Sequence, residues 1–425
     1  MVKNGRVYTS AGLKSIDLWI RGGKVAALGG PHRAEEKINA HGMIVLPGAI
    51  DVHVHFRDPG PTHKEDWESG SISAAAGGVT TVVDQPNTDP RTMDARSFEL
   101  KLERAKSNSV VDFCLNGGPG KIDELVNAGA LAIGEIFTYE HSDRELGLIL
   151  EETENAGLLP TIHAEDGLLI KEKSEPLKSR HAPEIYSQAR PSQAEAAAIE
   201  KVLEWSKRPH ICHLSSAMGL ERIKAAKMSG KKVSCEVAPH HLLLNAKDYR
   251  KQGSFVKINP PLRTQMDNDV LWAGLRDGSI DILASDHAPH LPEEKRDDIW
   301  EAPPGVPGVE TLLPLMLFSV RRNLISLDRL VNALATRPAA IFGLESKGNI
   351  EIGKDADLVI VNPKNIGKID ANRLHSRADW TPYQGREAIF PQMTILRGSV
   401  IYDGDVQVRR GFGHFQPRQI MQRVL

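Results

Sequence analysis

Cysteine is scarce in this chain, which has three among its 425 residues: Cys114, Cys212 and Cys235. They show neither a CxxC pair nor any other paired spacing, so the sequence predicts no disulfide framework. A small, odd number of cysteines is typical of a reducing compartment. The first eight residues also lack the apolar core of a secretory signal peptide. We therefore expect a cytoplasmic protein.

An excess of charge of either sign is missing as well. Lysine and arginine together number 53, aspartate and glutamate 55, and the formal net charge is -2. Without a basic block, neither nucleic acid nor a membrane surface is an expected partner, and no apolar stretch is long enough to span a bilayer. The chain has room for one large domain and a smaller one. The sequence does not decide between a monomer and a homo-oligomer.

Strand-like and helix-like segments alternate through the middle of the chain. Gly77 and Gly78 mark the end of one helix, and Ser142 with Glu145 forms a capping box at the start of another. Eight strands are predicted, and they end at Phe56, Asp84, Leu115, Phe137, His163, His213, Val237 and Asp286. Eight such units favour an α/β fold of the closed (β/α)8 type, the TIM barrel, over an open sheet.

Both ends of the chain are rich in strands and poor in helices. Short strands separated by glycine turns precede Pro47, and strands return after Gly348. We infer that the two ends pair into one small β-sandwich, formed by residues 1–47 and 344–425. This sandwich would flank a barrel formed by residues 48–343. The alternative is two unrelated terminal extensions.

The first predicted barrel strand carries the motif His53-Val54-His55. Residues 43–56 are apolar and partly β-branched, which predicts one buried strand. Strand side chains alternate between two faces, so His53, His55 and Arg57 are expected on the same face. Two imidazoles and a guanidinium are unfavourable in an apolar core. They suit a metal site formed by the imidazoles, with the Arg57 guanidinium beside it as an anion clamp, a group that binds a substrate anion. The alternative is a pair of ordinary histidines with hydrogen-bond partners.

Further polar side chains stand at other predicted strand ends. The active site of a (β/α)8 barrel lies at the carboxyl ends of its strands, so these side chains should share one face. The imidazoles and carboxylates at these ends are His53, His55, Glu135, His163, His213 and Asp286. Their joint placement is hard to explain by packing, and such ligands suit zinc and similar ions.

These residue types predict a hydrolytic reaction. A divalent ion lowers the pKa of bound water to about 7. Asp286 can accept a proton from that water and return it to a leaving nitrogen, first as a base and then as an acid. Arg57 and Asn87 are planar donors suited to a substrate carboxylate. The expected reaction is hydrolysis of a C–N bond in a small anionic molecule.

From Pro47 to Gly343 the sequence resembles the dihydroorotases of the amidohydrolase superfamily. The resemblance is carried by residues 51–60, 64–65, 74–81, 86–88, 163–166, 212–213, 235–242, 259–263, 285–290 and 304–310. It implies an enzyme with one or two zinc ions per subunit that interconverts N-carbamoyl-L-aspartate and L-dihydroorotate in pyrimidine synthesis. The implied metal ligands are His53, His55, His163, His213 and Asp286, with Asp286 also the catalytic proton-transfer residue. The implied substrate contacts are Arg57, Asn87, Asn259 and His290.

One position departs from the pattern of that family. Many members carry a carboxylated lysine on strand 4 that bridges two metal ions, whereas residues 130–137 of this chain contain no lysine and place Glu135 there. We predict Glu135 as a metal ligand, with a role beside the ligands as the alternative. Cys212 and Glu236 can in principle hold a further zinc ion. A buried cysteine acting as a small apolar residue is the favoured reading of Cys212.

Two other functions compete with this prediction. Allantoinases and hydantoinases belong to the same superfamily and also open cyclic amides, but Arg57 and residues 86–88 favour a substrate with a ring carboxylate. A non-catalytic barrel that serves as a scaffold would lack ligands, whereas every histidine of the pattern and Asp286 are present.

Overall fold

The structure, a computed structural model, describes residues 1–30 and 32–418. Its centre is a barrel of parallel strands. Within the described residues, strands 1 to 8 are Ala49–Val54, Val79–Asp84, Asp112–Leu115, Ile133–Phe137, Pro160–His163, His210–Ile211, Ser234–Val237 and Ile282–Leu283. Bridges from Gly117 to Ile133 and from Val54 to His287 join the two arcs of strands into a closed ring. The predicted (β/α)8 barrel is therefore confirmed.

Helices connect the barrel strands and cover their outer side. The main ones are Trp67–Ala76, Ala95–Asn108, Ile122–Ala128, Asp143–Asn155, Ser192–Trp205, Ala217–Met228, Gln265–Asp277 and Leu312–Arg321. Shorter helices are Gly167–Ser174, Tyr186–Ala189, Pro239–Leu243, Tyr249–Gln252, Pro292–Lys295, Leu327–Val331 and Arg337–Phe342. As predicted, the Ser142 side chain caps one helix by accepting from the Glu145 amide. None of the described helices combines the length and apolar character needed to cross a bilayer.

Three barrel strands end earlier than their sequence predicts. Strands 1, 6 and 8 stop at Val54, Ile211 and Leu283. Just beyond them, Arg57, His213 and Asp286 have φ values of 61°, 30° and 49°. This left-handed conformation cannot continue a strand. The expectation that His53, His55 and Arg57 follow one another on a single strand is therefore wrong for His55 and Arg57, which lie in the loop that follows Val54.

The apolar run 43–56 forms two strands rather than the single strand predicted. Ile44–Pro47 pairs with Leu358–Val361 in a flanking sheet, and Ala49–Val54 belongs to the barrel. The break falls at Gly48, where a Cβ atom would overlap the side chain of Thr80. Only glycine fits at this crossing from one sheet to the other.

In the described residues the flanking region has two larger sheets and a two-stranded one, in which Gly367–Lys368 pairs with Glu387–Ala388. The six-stranded sheet has the order Ser399–Tyr402, Met393–Leu396, Leu358–Val361, Ile44–Pro47, Arg6–Thr9 and Gly12–Ser15. The four-stranded sheet has the order Lys24–Leu28, Leu18–Arg21, Val2–Lys3 and Ile38–Asn39. Both contribute to one buried cluster that includes Val7, Leu18 and Ile360. Strands from both ends of the chain thus share a sheet, and we propose the division into residues 1–47 with 344–425 and residues 48–343.

The C-terminal region also reaches the mouth of the barrel. The Ser376 hydroxyl donates to Glu65 Oε2 at 2.6 Å, and the Trp380 indole donates to the His290 carbonyl at 2.8 Å. Glu65 and His290 lie in the loops after strands 1 and 8. This segment therefore fixes the two loops that carry the predicted anion clamp.

Candidate active site

Six of the predicted residues come together at the carboxyl ends of the barrel strands. His53, His55, Glu135, His163, His213 and Asp286 are all buried. Possible ligand atoms lie within 4.8 Å of one another in two groups that share His53. The first is His53, His55 and Asp286, and the second is His53, Glu135 and His213. This arrangement supports the metal site expected from the sequence.

The first group surrounds one oxygen of Asp286. Oδ1 of Asp286 lies 3.3 Å from Nε2 of His55 and 3.7 Å from Nε2 of His53. Nε2 of His53 is buried and has no hydrogen-bond partner. A buried polar atom without a partner costs free energy, so a cation that this nitrogen ligates would stabilise the arrangement.

The second group surrounds the carboxylate of Glu135. Oε1 lies 2.6 Å from Nε2 of His213 and 2.9 Å from Nδ1 of His163, and Oε2 lies 3.7 Å from Nε2 of His53. Burial alone would raise the pKa of Glu135, but hydrogen bonds from His163 and His213 hold it well below its usual value. Glu135 is therefore an anion placed among three imidazoles. This is the electrostatic setting that a ligand of two cations requires.

Oxygen acceptors fix the orientation of three of the histidines. Nδ1 of His53 donates to Glu236 Oε1 at 2.6 Å, and Nδ1 of His55 donates to Asn87 Oδ1 at 2.7 Å. Nε2 of His163 lies 2.8 Å from Glu165 Oε2. In each ring the other nitrogen faces the carboxylates of Asp286 or Glu135. Histidine ligands of metal ions commonly have this arrangement, with the nitrogen that does not bind metal held by a hydrogen bond.

Sequence reasoning missed the orienting roles of Glu165 and Glu236. Glu165 stands two residues after His163 and pairs with Arg190, whereas Glu236 stands on strand 7, distant in sequence from His53. Glu236 also accepts from Nε2 of His210 at 3.0 Å. The position of Glu165, two residues after His163, is a local signal for its role, whereas no local feature of the sequence links Glu236 to His53.

Cys212 lies with His53 and Glu236 in a third group of potential ligand atoms. Burial, reinforced by the charge of Glu236, raises the pKa of the Cys212 thiol to about 12. A metal ligand needs the thiolate, and Glu236 is already bonded to two histidines. The arrangement favours Cys212 as a small buried residue.

The predicted anion clamp lies beside these residues. Nη2 of Arg57 is 3.4 Å from Nε2 of His290, and the buried Nε of Arg57 has no hydrogen-bond partner. Within residues 1–30 and 32–418, no carboxylate lies within 4.0 Å of the Arg57 guanidinium. The guanidinium therefore has no carboxylate in direct contact, although Asp84 and Asp286 act on its charge from further away, and it can accept an anionic ligand.

The two predicted asparagines have different surroundings. Asn87 joins the site through His55, and its amide nitrogen is left to donate elsewhere. Oδ1 of Asn259 accepts from the Tyr186 hydroxyl at 2.7 Å. No hydrogen bond between described residues joins Asn259 to the histidine cluster. Its contact with substrate stays a prediction.

His240 is a further residue that sequence reasoning did not place in the site. It is buried, neither ring nitrogen has a hydrogen-bond partner, and Nε2 lies 4.0 Å from Oδ2 of Asp286. Burial lowers the pKa of His240 to about 4, so the ring is neutral. Burial alone would raise the pKa of Asp286, but His55 and the nearby histidines hold it below its usual value. Asp286 is therefore ionised and able to accept a proton.

Comparison with known proteins agrees with this geometry. The amidohydrolase family profile matches residues 44–381. The dihydroorotase of Methanosarcina acetivorans is 45% identical over 440 residues, covering 97% of this chain and 94% of that protein. The allantoinase of Salmonella choleraesuis is 34% identical over 430 residues, covering 95% of each. The structure of L-hydantoinase (dihydropyrimidinase) from Arthrobacter aurescens is 34% identical, with a TM-score of 0.94 and coverage of 98% and 99%.

Proposed function

The chain belongs to the amidohydrolase family, and we propose that it is a dihydroorotase, which interconverts L-dihydroorotate and N-carbamoyl-L-aspartate. The observation that carries this proposal is the Arg57 guanidinium, which has no carboxylate in direct contact, beside the cluster of histidines and carboxylates. Dihydroorotate has a carboxylate on the ring whose amide bond is opened. Arg57, with His290 and Asn87, would bind that carboxylate. The higher similarity to dihydroorotases than to an allantoinase points the same way.

The residues of the site fit divalent metal ions, and we propose zinc. His53, His55 and Asp286 would hold one ion, and His163 with His213 a second. The carboxylate of Glu135 would be shared between them. The fit rests on the buried, unpartnered Nε2 of His53, on the outward hydrogen bonds that orient the imidazoles, and on the preference of zinc for such ligands. When bound, such an ion supplies acidified water and a polarised carbonyl group.

Asp286 moves the proton in the proposed reaction. In ring opening, the bond between a ring carbonyl carbon and the adjacent nitrogen breaks. The carbon gains the oxygen of water, and the nitrogen gains a proton. Oδ1 of Asp286 contacts His53 and His55, and Oδ2 lies 4.0 Å from Nε2 of His240. Asp286 would take the proton from water and deliver it to the nitrogen. Ring closure runs the same transfers in reverse.

Arg57 and His290 would position the substrate for these transfers. Bidentate binding of a carboxylate by a guanidinium fixes both distance and orientation. With the ring carboxylate held there, the reacting amide would face Asp286 and the cluster. Three of the histidines that would ligate the ions, His53, His163 and His55, are held by Glu236, Glu165 and Asn87, so much of the site is arranged before substrate binds.

A comparison of three substrates tests the assignment. The purified, zinc-loaded protein is given L-dihydroorotate, allantoin and hydantoin in parallel, and ring opening is followed by loss of ring absorbance. We expect turnover of dihydroorotate and little or none of the two substrates without a ring carboxylate. Turnover of allantoin without turnover of dihydroorotate would assign the protein to an allantoinase-like activity.

The biological setting is proposed on the same basis. A dihydroorotase acts in pyrimidine synthesis on a small-molecule substrate. The three cysteines are buried and free, which supports the cytoplasm as the location. Light scattering of the purified protein would decide between a monomer and a homo-oligomer.

A further inference from the structure

Lys64 contacts His290, the residue beside Arg57 in the anion clamp. Its Nζ is 3.1 Å from Nδ1 of His290 and 2.7 Å from Oε1 of Glu294. Only 16% of the Lys64 side chain is exposed. Lys64 was absent from the site residues predicted by sequence, because it lies in the loop after strand 1 and its partners lie more than 200 residues further along the chain.

The contact with Lys64 fixes the tautomer of His290. An ammonium group has only donors, so Nδ1 of His290 must accept from Lys64. The proton of a neutral ring then resides on Nε2, which lies 3.1 Å from the carbonyl oxygen of Pro304, an acceptor. Burial, together with the charges of Arg57, Lys64 and Lys295, holds the pKa of His290 well below its usual value. His290 is thus a neutral imidazole with N–H at Nε2.

Two donors consequently converge at the clamp. The one proton on Nε2 of His290 is donated to the Pro304 carbonyl oxygen, and a carboxylate in the clamp would share it as a second acceptor. Nη2 of Arg57 lies 3.4 Å away and carries protons as well. Neither group can accept from the other, whereas a carboxylate oxygen can accept from both. If Nδ1 of His290 carried the proton instead, Nε2 would present a lone pair and repel the carboxylate.

We propose that Lys64 is a positioning residue for substrate specificity, because its ammonium, together with the Pro304 carbonyl, keeps the proton of His290 on Nε2 and so makes His290 a donor to the substrate carboxylate. Glu294 holds the ammonium in position. This inference rests on the proposed function, since it assumes a substrate with a ring carboxylate.

The test compares Lys64→Met with Lys64→Arg in the zinc-loaded protein. Methionine has a similar length but neither charge nor donor, whereas arginine keeps both. A matched control is Lys224→Met, because Lys224 is also ion-paired, with Asp277 at 2.8 Å, but sits on the outer helix Ala217–Met228. KM and kcat are measured for dihydroorotate. The dissociation constant is measured by calorimetry for orotate, the unsaturated form of the ring with the same carboxylate, and for uracil, which lacks the carboxylate.

Lys64→Met should raise KM for dihydroorotate and the dissociation constant for orotate by roughly 10–100-fold, the range for a hydrogen bond to a charged group. The value of kcat should change much less. Lys64→Arg should restore most of the affinity, and Lys224→Met should behave as wild type. Uracil binding should be equally weak in every variant.

An unchanged KM and unchanged orotate affinity in Lys64→Met would overturn the inference. So would a loss of kcat alone, or a Lys64→Arg variant as impaired as Lys64→Met, because either result would assign Lys64 a purely structural role. Failure of the proposed function is recognised separately, since wild-type protein would then fail to turn over dihydroorotate.

Discussion

Oε1 of Glu135 lies 2.6 Å from Nε2 of His213, across the gap between strand 4 and the loop after strand 6. The same oxygen is 2.9 Å from Nδ1 of His163. By the resemblance of the sequence, Glu135 falls at the position of the carboxylated lysine expected in many members of the superfamily. Glutamate supplies its carboxylate permanently, because no carbamate has to form. Four of the five predictions below follow from this centre and the clamp beside it.

Glu135→Ala should lose about one metal equivalent per subunit and much of the rate. Glu135→Gln should also weaken the site, because a neutral amide is a poor bridge between two cations. Wild-type protein should reach full metal content without added bicarbonate. Metal analysis of wild type and both variants checks this. Glu140→Ala is the control, since Glu140 is a partly exposed glutamate in the short 3-10 helix Thr138–Glu140 that follows strand 4. An unchanged metal-to-protein ratio in Glu135→Ala would exclude Glu135 as a ligand.

Asp286→Asn should lower kcat by at least about 10²-fold, the lower end of the range for general acid–base catalysis. An amide cannot accept and return the proton. Part of the metal should remain, held by the histidines. Steady-state kinetics and metal analysis on the same preparation measure both effects, and a variant near the wild-type rate would remove Asp286 from the mechanism.

Arg57→Met should weaken substrate binding by on the order of 2–5 kcal/mol, the range for losing one partner of a buried charged pair. The effect should appear in KM, and the metal content should stay at the wild-type level. If the variant loses metal but binds substrate normally, Arg57 is not the carboxylate clamp.

Glu236→Gln should reduce metal affinity or activity by roughly 10–100-fold, as expected when a histidine ligand loses its orienting carboxylate. The two contacts at stake are those from His53 and His210. Competition with a chelator measures the affinity. Cys212→Ser is the matched control from the same group of side chains and should retain its metal. A large loss in Cys212→Ser with none in Glu236→Gln would make the thiol the ligand instead.

The sequence allowed the barrel and most of the cluster to be predicted, because the relevant signals are local. Hydrophobic periodicity and helix caps predict strands 4 and 5, with Glu135 on the first and His163 at the end of the second. In the structure Oε1 of Glu135 and Nδ1 of His163 lie 2.9 Å apart. The left-handed residues at positions 57, 213 and 286 were not predictable in this way. Their conformation depends on where the closed barrel ends its ladder of hydrogen bonds, which no short segment encodes.

The partners of the predicted residues were also beyond sequence reasoning. His53 and Glu236 are 183 residues apart, and Lys64 and His290 are 226 residues apart. Only the closure of the barrel brings strand 1 beside strand 8 and across from strand 7. The break at Gly48 shows the same limit, because an uninterrupted apolar run does not reveal that its two halves belong to different sheets.

Interconversion measured from both directions tests the central claim most directly. The zinc-loaded protein is incubated with L-dihydroorotate in one sample and N-carbamoyl-L-aspartate in another, at several pH values, and both species are quantified by NMR. Because ring closure consumes a proton, we predict that both samples reach the same ratio at each pH and that this ratio shifts toward N-carbamoyl-L-aspartate as the pH rises. If neither sample changes while allantoin is hydrolysed by the same preparation, the protein is not a dihydroorotase.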